Sequence, residues 1–275
     1  MRKLILILWR AWFYFLCTVP VIILFIPLVF FVTIPNGYKY LFWIARNIWS
    51  PFVLFGMGFW IKRLNSFPAE RKSLVIIANH SSYIDIMLMF RMRKTPFVFV
   101  GKKELTKIPF FGYLYKRAAI TVDRSSSESR KRVYESAQSV IQKGYSICIF
   151  PEKDYLDEMI LLNTFKKGAF KLAIEHQLPI FPIIFYDCKR KFPWHTHFGY
   201  VGSLRVKALD LVENNTKVLI KECNKIITSG PFIDKASAPQ SPKKHFKLYD
   251  NQHSISTPVS YTHLRAHETP EHRGL

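Results

Sequence analysis

The chain has 275 residues, 49% of them hydrophobic and 16% aromatic, and a formal net charge of +21. That length suits one domain of ordinary size with appendages, and the four widely separated cysteines argue against a disulfide-built fold. The charge predicts anionic partners. Since no nucleic-acid-binding motif accompanies it and the N-terminus is very apolar, we expect an anionic membrane surface rather than nucleic acid.

The first sixty residues hold most of the excess apolar character. Residues 11–34 carry no charge over 24 positions, long enough to span a bilayer at about 1.5 Å per residue. A second apolar segment, residues 40–61, contains Arg46 and three tryptophans, which is typical of an interfacial helix or a poorer span. Basic residues flank both segments. We therefore expect residues 1–62 to anchor the chain by two spans or a shallow hairpin, with both ends and the active site facing the cytoplasm; a buried pair of soluble helices is the alternative.

From residue 63 to 230 the pattern predicts an α/β domain. Short runs rich in Val, Ile and Phe alternate with helical patterns, which favours a mostly parallel sheet flanked by helices. The predicted strands are Leu74–Ala78, Pro96–Val100, Ala118–Val122, Ser146–Phe150, Ile180–Tyr186 and Leu204–Ala208, and the predicted helices are Ile84–Met92, Ser129–Gln142 and Phe165–His176.

The C-terminal segment, residues 231–275, is rich in Pro, Ser and Lys, and we expect a disordered polar tail. From about residue 260 it resembles translated adaptor sequence more than native protein. Five of the nine histidines fall in this segment, but their spacings fit no compact metal site, and we expect no metal centre in the chain.

One polar turn carries the strongest chemical signal. His80 follows a buried-looking strand, and Asp85 comes five residues later, where a helical pattern begins. A carboxylate in that position can accept the Nδ1–H bond of the imidazole, so that Nε2 can take a proton from an alcohol. Alternatively, His80 hydrogen-bonds the turn and Asp85 caps the helix. Ser81 and Ser82 lack the surroundings of a nucleophilic serine and are interpreted as turn or capping residues.

Three further motifs follow the turn in a recognisable order. Together with Asn79–Asp85, the stretches Ile120–Arg124, Phe150–Glu152 and Leu178–Ile183 resemble the motifs of the 1-acylglycerol-3-phosphate O-acyltransferases, a family of glycerolipid and lysophospholipid acyltransferases. The resemblance covers about residues 74–208 and includes that family's His-x4-Asp motif. It implies transfer of a fatty acyl group from an acyl thioester to the sn-2 hydroxyl of lysophosphatidic acid, giving phosphatidic acid. The expected donor is acyl-CoA or an acyl-carrier protein, and no cofactor is expected.

The resemblance also assigns individual roles. It makes His80 the general base, with Asp85 as the residue that orients it. It places Arg124 and Lys103 at the phosphate of the acceptor and Glu152 at the acceptor site. The alternatives are an ion pair between Arg124 and Asp123, a solvated surface lysine at position 103, and a buried carboxylate at position 152 that binds loop amides.

The third motif departs from the family pattern. A glycine, a small residue and often an arginine commonly follow Phe-Pro-Glu, whereas this chain has Lys153 and Asp154. Lys153 is then a candidate for the missing phosphate ligand, although an ammonium lacks the forked geometry of a guanidinium. This change motivates two alternative functions: acylation of another lysophospholipid or an aminolipid, and a catalytically silent membrane-binding scaffold.

Overall fold

A seven-stranded sheet forms the centre of the protein in a computed structural model that describes residues 2–71, 73–152, 165–194 and 198–213. The strands are β1 (Phe59–Arg63), β2 (Val75–Ala78), β3 (Phe97–Lys102), β4 (Ile120–Val122), β5 (Ser146–Ile149), β6 (Ile180–Phe185) and β7 (Gly202–Ala208). The helices are α1 (Arg2–Ile23), α2 (Phe25–Thr33), α3 (Tyr38–Ile44), α4 (Ser50–Gly56), α5 (Ile84–Met92), α6 (Phe111–Ala118), α7 (Ser127–Gln142), α8 (Gly168–Glu175) and α9 (Cys188–Lys191).

The strand order is β1-β7-β6-β2-β5-β3-β4. All neighbouring strands are parallel except β6 and β7, which are antiparallel. The predicted fold class, a mostly parallel sheet flanked by helices, is therefore confirmed. Since β2, β3, β4, β5 and β6 run in one direction, their carboxyl ends lie along one edge of the sheet, where ligands bind in open α/β folds.

Alternating side chains of β2 supply the two sides of the core. Leu74, Ile76 and Ala78 pack on the side of α5, whereas Val75 and Ile77 pack on the side of α7 and α8. This division follows from the two-residue repeat of a strand. Helices cover both faces, so the central strands read as continuous apolar runs.

The uncharged stretch at residues 11–34 is divided between two helices. The break falls at Leu24, and Pro27 lies in the first turn of α2. A proline ring clashes with the carbonyl four residues earlier, here that of Ile23, which accounts for the end of α1 at that point. Within the part of the chain that the structure describes, one helix, Lys3–Ile23, is long and apolar enough by length and composition to cross a membrane.

The second apolar segment is helical only as far as Gly56. α3, a π-helical turn (Ala45–Trp49) and α4 follow one another without a break, and the chain then enters β1. Phe42, Val53 and Leu54 are buried against the α5 side of the core. The predicted helix therefore ends before residue 61, and its placement at a membrane stays a prediction. β1 crosses the boundary predicted between residues 62 and 63, because it pairs with β7 at the edge of the sheet.

Candidate active site

The turn between β2 and α5 brings His80 and Asp85 together. His80 Nδ1 lies 3.0 Å from Asp85 Oδ2, with side-chain exposures of 12% for the imidazole and 0% for the carboxylate. A carboxylate can only accept here, so the hydrogen bond requires the proton on Nδ1. In this tautomer Nε2 is the ring nitrogen that can accept a proton from a substrate.

Backbone amides hold the Asp85 carboxylate in place. Oδ2 also accepts hydrogen bonds from the N–H groups of Ser81 (2.8 Å) and Ser82 (2.9 Å), just before the first turn of α5. The oxygen that contacts His80 thus also satisfies two amides of the turn, whereas the N-cap residue of α5, Tyr83, has no side-chain cap. A carboxylate restrained by three donors fixes the imidazole plane and favours the imidazolium during proton transfer.

The second oxygen of this carboxylate, Asp85 Oδ1, is also buried. The neighbouring Cys188 thiol is fully buried, and burial, reinforced by the charge of Asp85, raises the pKa of that thiol well above its usual value. Cys188 is therefore neutral beside the carboxylate.

Aromatic rings enclose the imidazole. Phe150, at the end of β5, stacks on His80 with ring centroids 4.0 Å apart and an interplanar angle of 20°. Trp194 approaches edge-on at 4.9 Å and 78°. Sequence reasoning found Phe150 only as part of a motif and missed Trp194. The second contact joins residues 114 positions apart in the chain, so no local pattern could have indicated it.

Glu152 takes the structural position that was considered as its alternative. The side chain is buried, and its carboxylate accepts a hydrogen bond of 2.6 Å from the backbone N–H of His80. Glu152 also pairs with Phe165 in an isolated antiparallel bridge. It therefore ties the end of β5 to the turn between β2 and α5. A contact between Glu152 and the acceptor stays a prediction.

Asn79 and Ser82 also position the turn. The sequence analysis gave Asn79 no chemical role and Ser82 only a turn role. Asn79 exchanges two hydrogen bonds of 2.8 Å with the backbone of Phe185 at the end of β6. The Ser82 hydroxyl is buried and donates to the carbonyl of Phe192. A polar side chain that is buried after an apolar strand needs a hydrogen-bond partner. This feature of the sequence could have indicated a structural role for Asn79. Because the Ser82 hydroxyl is used in this way, it is a structural group.

Lys103 and Arg124 follow β3 and β4, which lie on the side of β2 away from β6 and β7. The pairings β2–β5, β5–β3 and β3–β4 set the ends of these strands in one row, so Arg124 follows a strand three places from β2, roughly 14 Å away at about 4.8 Å per strand. Both side chains are exposed. Long basic side chains at that distance can reach back toward a substrate at His80.

The ion pair considered for Arg124 is not formed within the described residues. Asp123 instead accepts two hydrogen bonds from Ser125, through its amide and its hydroxyl. Those bonds and the charge of Lys103 lower the pKa of Asp123, which shows that Lys103 lies near the end of β4. Lys153, the other predicted phosphate ligand, lies outside the described residues.

Curated acyltransferases are similar to part of this chain. The 1-acyl-sn-glycerol-3-phosphate acyltransferase of Cocos nucifera is 37% identical over 112 residues, which are 40% of this chain and 36% of that protein. The human 1-acyl-sn-glycerol-3-phosphate acyltransferase beta is 30% identical over 185 residues, covering 62% of this chain and 64% of that protein. The chain thus spans between about a third and two thirds of the length of these curated relatives.

A solved structure shares the fold. The crystal structure of the 1-acyl-sn-glycerophosphate (LPA) acyltransferase, PlsC, from Thermotoga maritima matches with a TM-score of 0.70 at 20% identity, over 88% of this chain and all of that chain. The family model described as Acyltransferase matches residues 59–186, a range that contains His80, Asp85 and the strands that carry them. Residues 59–186 of this chain are therefore similar to the acyltransferase family.

Proposed function

We propose that this protein is a membrane-bound O-acyltransferase that transfers a fatty acyl group from an acyl thioester to the sn-2 hydroxyl of lysophosphatidic acid, giving phosphatidic acid. The observation that carries the proposal is the 3.0 Å contact between His80 Nδ1 and an Asp85 oxygen that two backbone amides restrain. The match of residues 59–186 to the acyltransferase family model and the names of the relatives support this acceptor over other alcohols.

The reaction is a direct transfer with His80 as general base. Nε2 of His80 takes the hydroxyl proton as the hydroxyl oxygen attacks the thioester carbonyl carbon. Asp85 stabilises the resulting imidazolium. The tetrahedral intermediate then collapses, the C–S bond breaks, and the imidazolium returns the proton to the departing thiolate. General-base catalysis of this kind contributes about 10²–10⁴-fold to the rate, and the proposed steps use no metal or prosthetic group.

The acceptor phosphate is proposed to bind on the β3 and β4 side of His80. Arg124 can offer two parallel N–H donors to a phosphate, and Lys103 adds a second charge near the end of the same pair of strands. The sequence position of Lys153 makes it a further candidate. In this arrangement the hydroxyl reaches the imidazole while the phosphate stays at the exposed, basic end of the site.

Attachment to an anionic membrane is proposed through α1, with the site facing the cytoplasm. The middle of α1 packs against the segment after α9: Phe13 lies 4.7 Å from Phe192 between ring centroids, and Arg10 donates a hydrogen bond to the carbonyl of Pro193. Phe192 is the residue whose carbonyl binds Ser82. The helix that reaches the membrane is thereby connected to the turn that carries His80, which suits an enzyme whose acceptor is a lipid.

Acyl transfer by the purified full chain in detergent tests the proposal. Lysophosphatidic acid would be offered with acyl-CoA and with acyl-carrier-protein donors, and His80→Ala would serve as the inactive comparison. We expect turnover in the native protein and near-complete loss in the variant. Absence of transfer to any lysolipid, or full activity of His80→Ala, would contradict the proposed mechanism.

A second acceptor is favoured by one observation, the Lys153-Asp154 pair in the third motif. A panel of lysophospholipids with head groups, and an aminolipid, offered to the same preparation separates the two candidates. A clear preference for one of these acceptors over lysophosphatidic acid would change the proposed acceptor and leave the proposed role of His80 as general base unaltered. A chain that binds vesicles but transfers no acyl group to any of them would be a scaffold.

A further inference from the structure

A second charged cluster lies at the same edge of the sheet as His80. It consists of Asp187, Arg190, Lys191 and Arg205, on α9 and β7. Asp187 Oδ2 accepts hydrogen bonds from the Arg205 amide and Nε at 2.8 and 2.9 Å, and Oδ1 accepts from Nη2 of Arg205 at 2.9 Å and of Arg190 at 3.3 Å. Both oxygens of the one carboxylate are therefore occupied by arginines.

The charges of this cluster do not balance. One carboxylate faces two guanidinium groups and one ammonium, so two positive charges remain in excess. Burial alone would raise the pKa of Asp187, but the hydrogen bonds and charge of Arg205 outweigh it and lower that pKa, so Asp187 is fully ionised at neutral pH. These basic side chains are partly exposed, 42% for Arg190 and 25% for Arg205, and positive charge gathered at one place favours an anionic ligand.

Lys191 is the residue that indicates such a ligand. Its side chain belongs to a residue only 8% exposed, yet Nζ makes no hydrogen bond or ion pair within the described residues. Its contact is the face of the Tyr200 ring, 5.2 Å from the centroid. An ammonium has three donors, and burial lowers the pKa of this one while Asp187 opposes the shift. Nζ is not one of the fully enclosed polar atoms, so it is accessible to an incoming oxyanion.

The backbone leaves space for this ammonium at Gly202. A Cβ at that position would lie 2.5 Å from Lys191 Nζ, and the glycine has a φ of +138°. Glycine therefore satisfies both a backbone conformation that other residues rarely adopt and the close approach of the charge. Lys191 Nζ can therefore occupy its position because the first residue of β7, Gly202, has no side chain.

The cluster is connected to the catalytic turn on the side opposite Arg124. β6 and β7 lie on one side of β2, whereas β3 and β4 lie on the other. Phe192, directly after Lys191, accepts the Ser82 hydrogen bond, and Trp194 contacts the His80 ring. His80 thus lies between two basic regions. The proposed reaction brings two phosphate-bearing substrates to one imidazole, and the acceptor phosphate is already assigned to the β4 side.

We propose that Lys191, with Arg190 and Arg205, binds a phosphate group of the acyl donor, a thioester whose pantetheine arm carries phosphate. This inference rests on the proposed function. The arm separates the thioester from its phosphate by many bonds, so the carbonyl can meet the acceptor at His80 while the phosphate lies beside α9. A phosphate of a membrane lipid has the same chemistry, and the test distinguishes the two sources.

Binding of coenzyme A to the full chain in detergent, measured by calorimetry, tests the site without requiring turnover. Lys191→Met removes the ammonium and keeps a stem of similar length. We expect about a tenfold weaker Kd for coenzyme A, as suits the loss of one charge-assisted hydrogen bond. Pantetheine, which lacks phosphate, should bind native protein and variant equally. The matched control is Lys143→Met, an exposed lysine after α7 at the opposite edge of the sheet, which should leave the Kd unchanged.

Several results would overturn the assignment. Equal affinity of native protein and Lys191→Met for coenzyme A would do so. A variant that binds lysophosphatidic acid more weakly, with its affinity for coenzyme A unchanged, would do so as well. Weaker binding to phosphatidylglycerol vesicles with an unchanged coenzyme A Kd would assign the site to a membrane lipid instead. If thermal unfolding shows that Lys191→Met is not folded, Arg190→Gln, at a half-exposed side chain, replaces it with the same expectation of a weaker coenzyme A Kd.

The two proposals can fail separately. Coenzyme A binding that depends on Lys191, in a native protein without acyl transfer, would leave the phosphate site standing and remove the proposed function. Acyl transfer that depends on His80, with coenzyme A binding indifferent to Lys191, would remove the phosphate site alone. In an active protein, Lys191→Met should raise KM for the donor and leave KM for the acceptor unchanged.

Discussion

The catalytic turn and the proposed acceptor site differ sharply in how they are held. Around His80, the carboxylate of Asp85, the amide of Asn79 and the hydroxyl of Ser82 are buried and bonded to backbone groups. Lys103 and Arg124 are exposed just after β3 and the edge strand β4. Proton transfer needs a geometry held to fractions of an ångström, whereas a charged head group can be met by long side chains that move.

This difference predicts which property, catalysis, stability or substrate affinity, a substitution in each region changes. In the turn, a change should affect catalysis and stability together, because each polar group there also satisfies the backbone. At the exposed basic residues, a change should affect substrate affinity and leave stability nearly unaltered, since surface substitutions seldom change stability by more than about 0.5 kcal/mol.

The largest effect is expected for Asp85→Asn. The neutral amide keeps the shape of the side chain but cannot stabilise an imidazolium as a carboxylate does, so kcat should fall by about 10²–10⁴-fold. Steady-state kinetics of the purified variant measures this. Asp210→Asn, at an exposed carboxylate after β7, is the matched control and should retain activity. Asp85→Asn with a kcat near that of the native protein would remove the orienting role of Asp85.

A large loss of stability is expected for Asn79→Leu. The substitution leaves the N–H and C=O of Phe185 buried without their partners, at about 1–3 kcal/mol for each group. Denaturant titration should therefore show a free energy of unfolding lower by about 2–5 kcal/mol. Asn65 makes the same pair of bonds with Ala208 but is exposed, so water can replace the lost bonds in Asn65→Leu. Equal losses in both variants would contradict the importance of burial.

Arg124→Ala should separate affinity from stability. Loss of the guanidinium is expected to raise KM for lysophosphatidic acid by about tenfold, the effect of a charge-assisted contact, with little change in Tm. Arg124→Lys should recover only part of the affinity, because an ammonium cannot bind two phosphate oxygens in parallel. An unchanged KM for the acceptor in both variants would place its phosphate elsewhere.

The smallest effect is expected for Lys103→Met. A solvated ammonium contributes a screened charge, so KM for the acceptor should rise only about two- to threefold at low salt and converge with the native value as salt is added. Acceptor kinetics at two ionic strengths measures this. A rise that persists at high salt would show a direct, desolvated contact and bring Lys103 closer to Arg124 in importance.

The sequence alone determined the features that depend on near neighbours in the chain. The alternation of apolar strands and helices predicted the sheet, since the period of a strand and that of a helix are local properties. The contact between His80 and Asp85 was predictable because one tight turn joins them. The helix predicted within residues 40–61 ends at Gly56, because an apolar run does not reveal that Phe59–Arg63 pairs with β7, more than a hundred residues away.

Only the tertiary structure decided the rest of the site, because the sheet order brings distant segments to one edge. It set Glu152 on the His80 amide, Trp194 against the imidazole, and Asn79 on Phe185. It also gathered Asp187, Lys191 and Arg205 into one cluster beside the catalytic turn. In the sequence these are scattered basic and acidic residues among many. Their proposed role depends on how deeply each side chain is buried and which groups it contacts, and the sequence pattern does not show either.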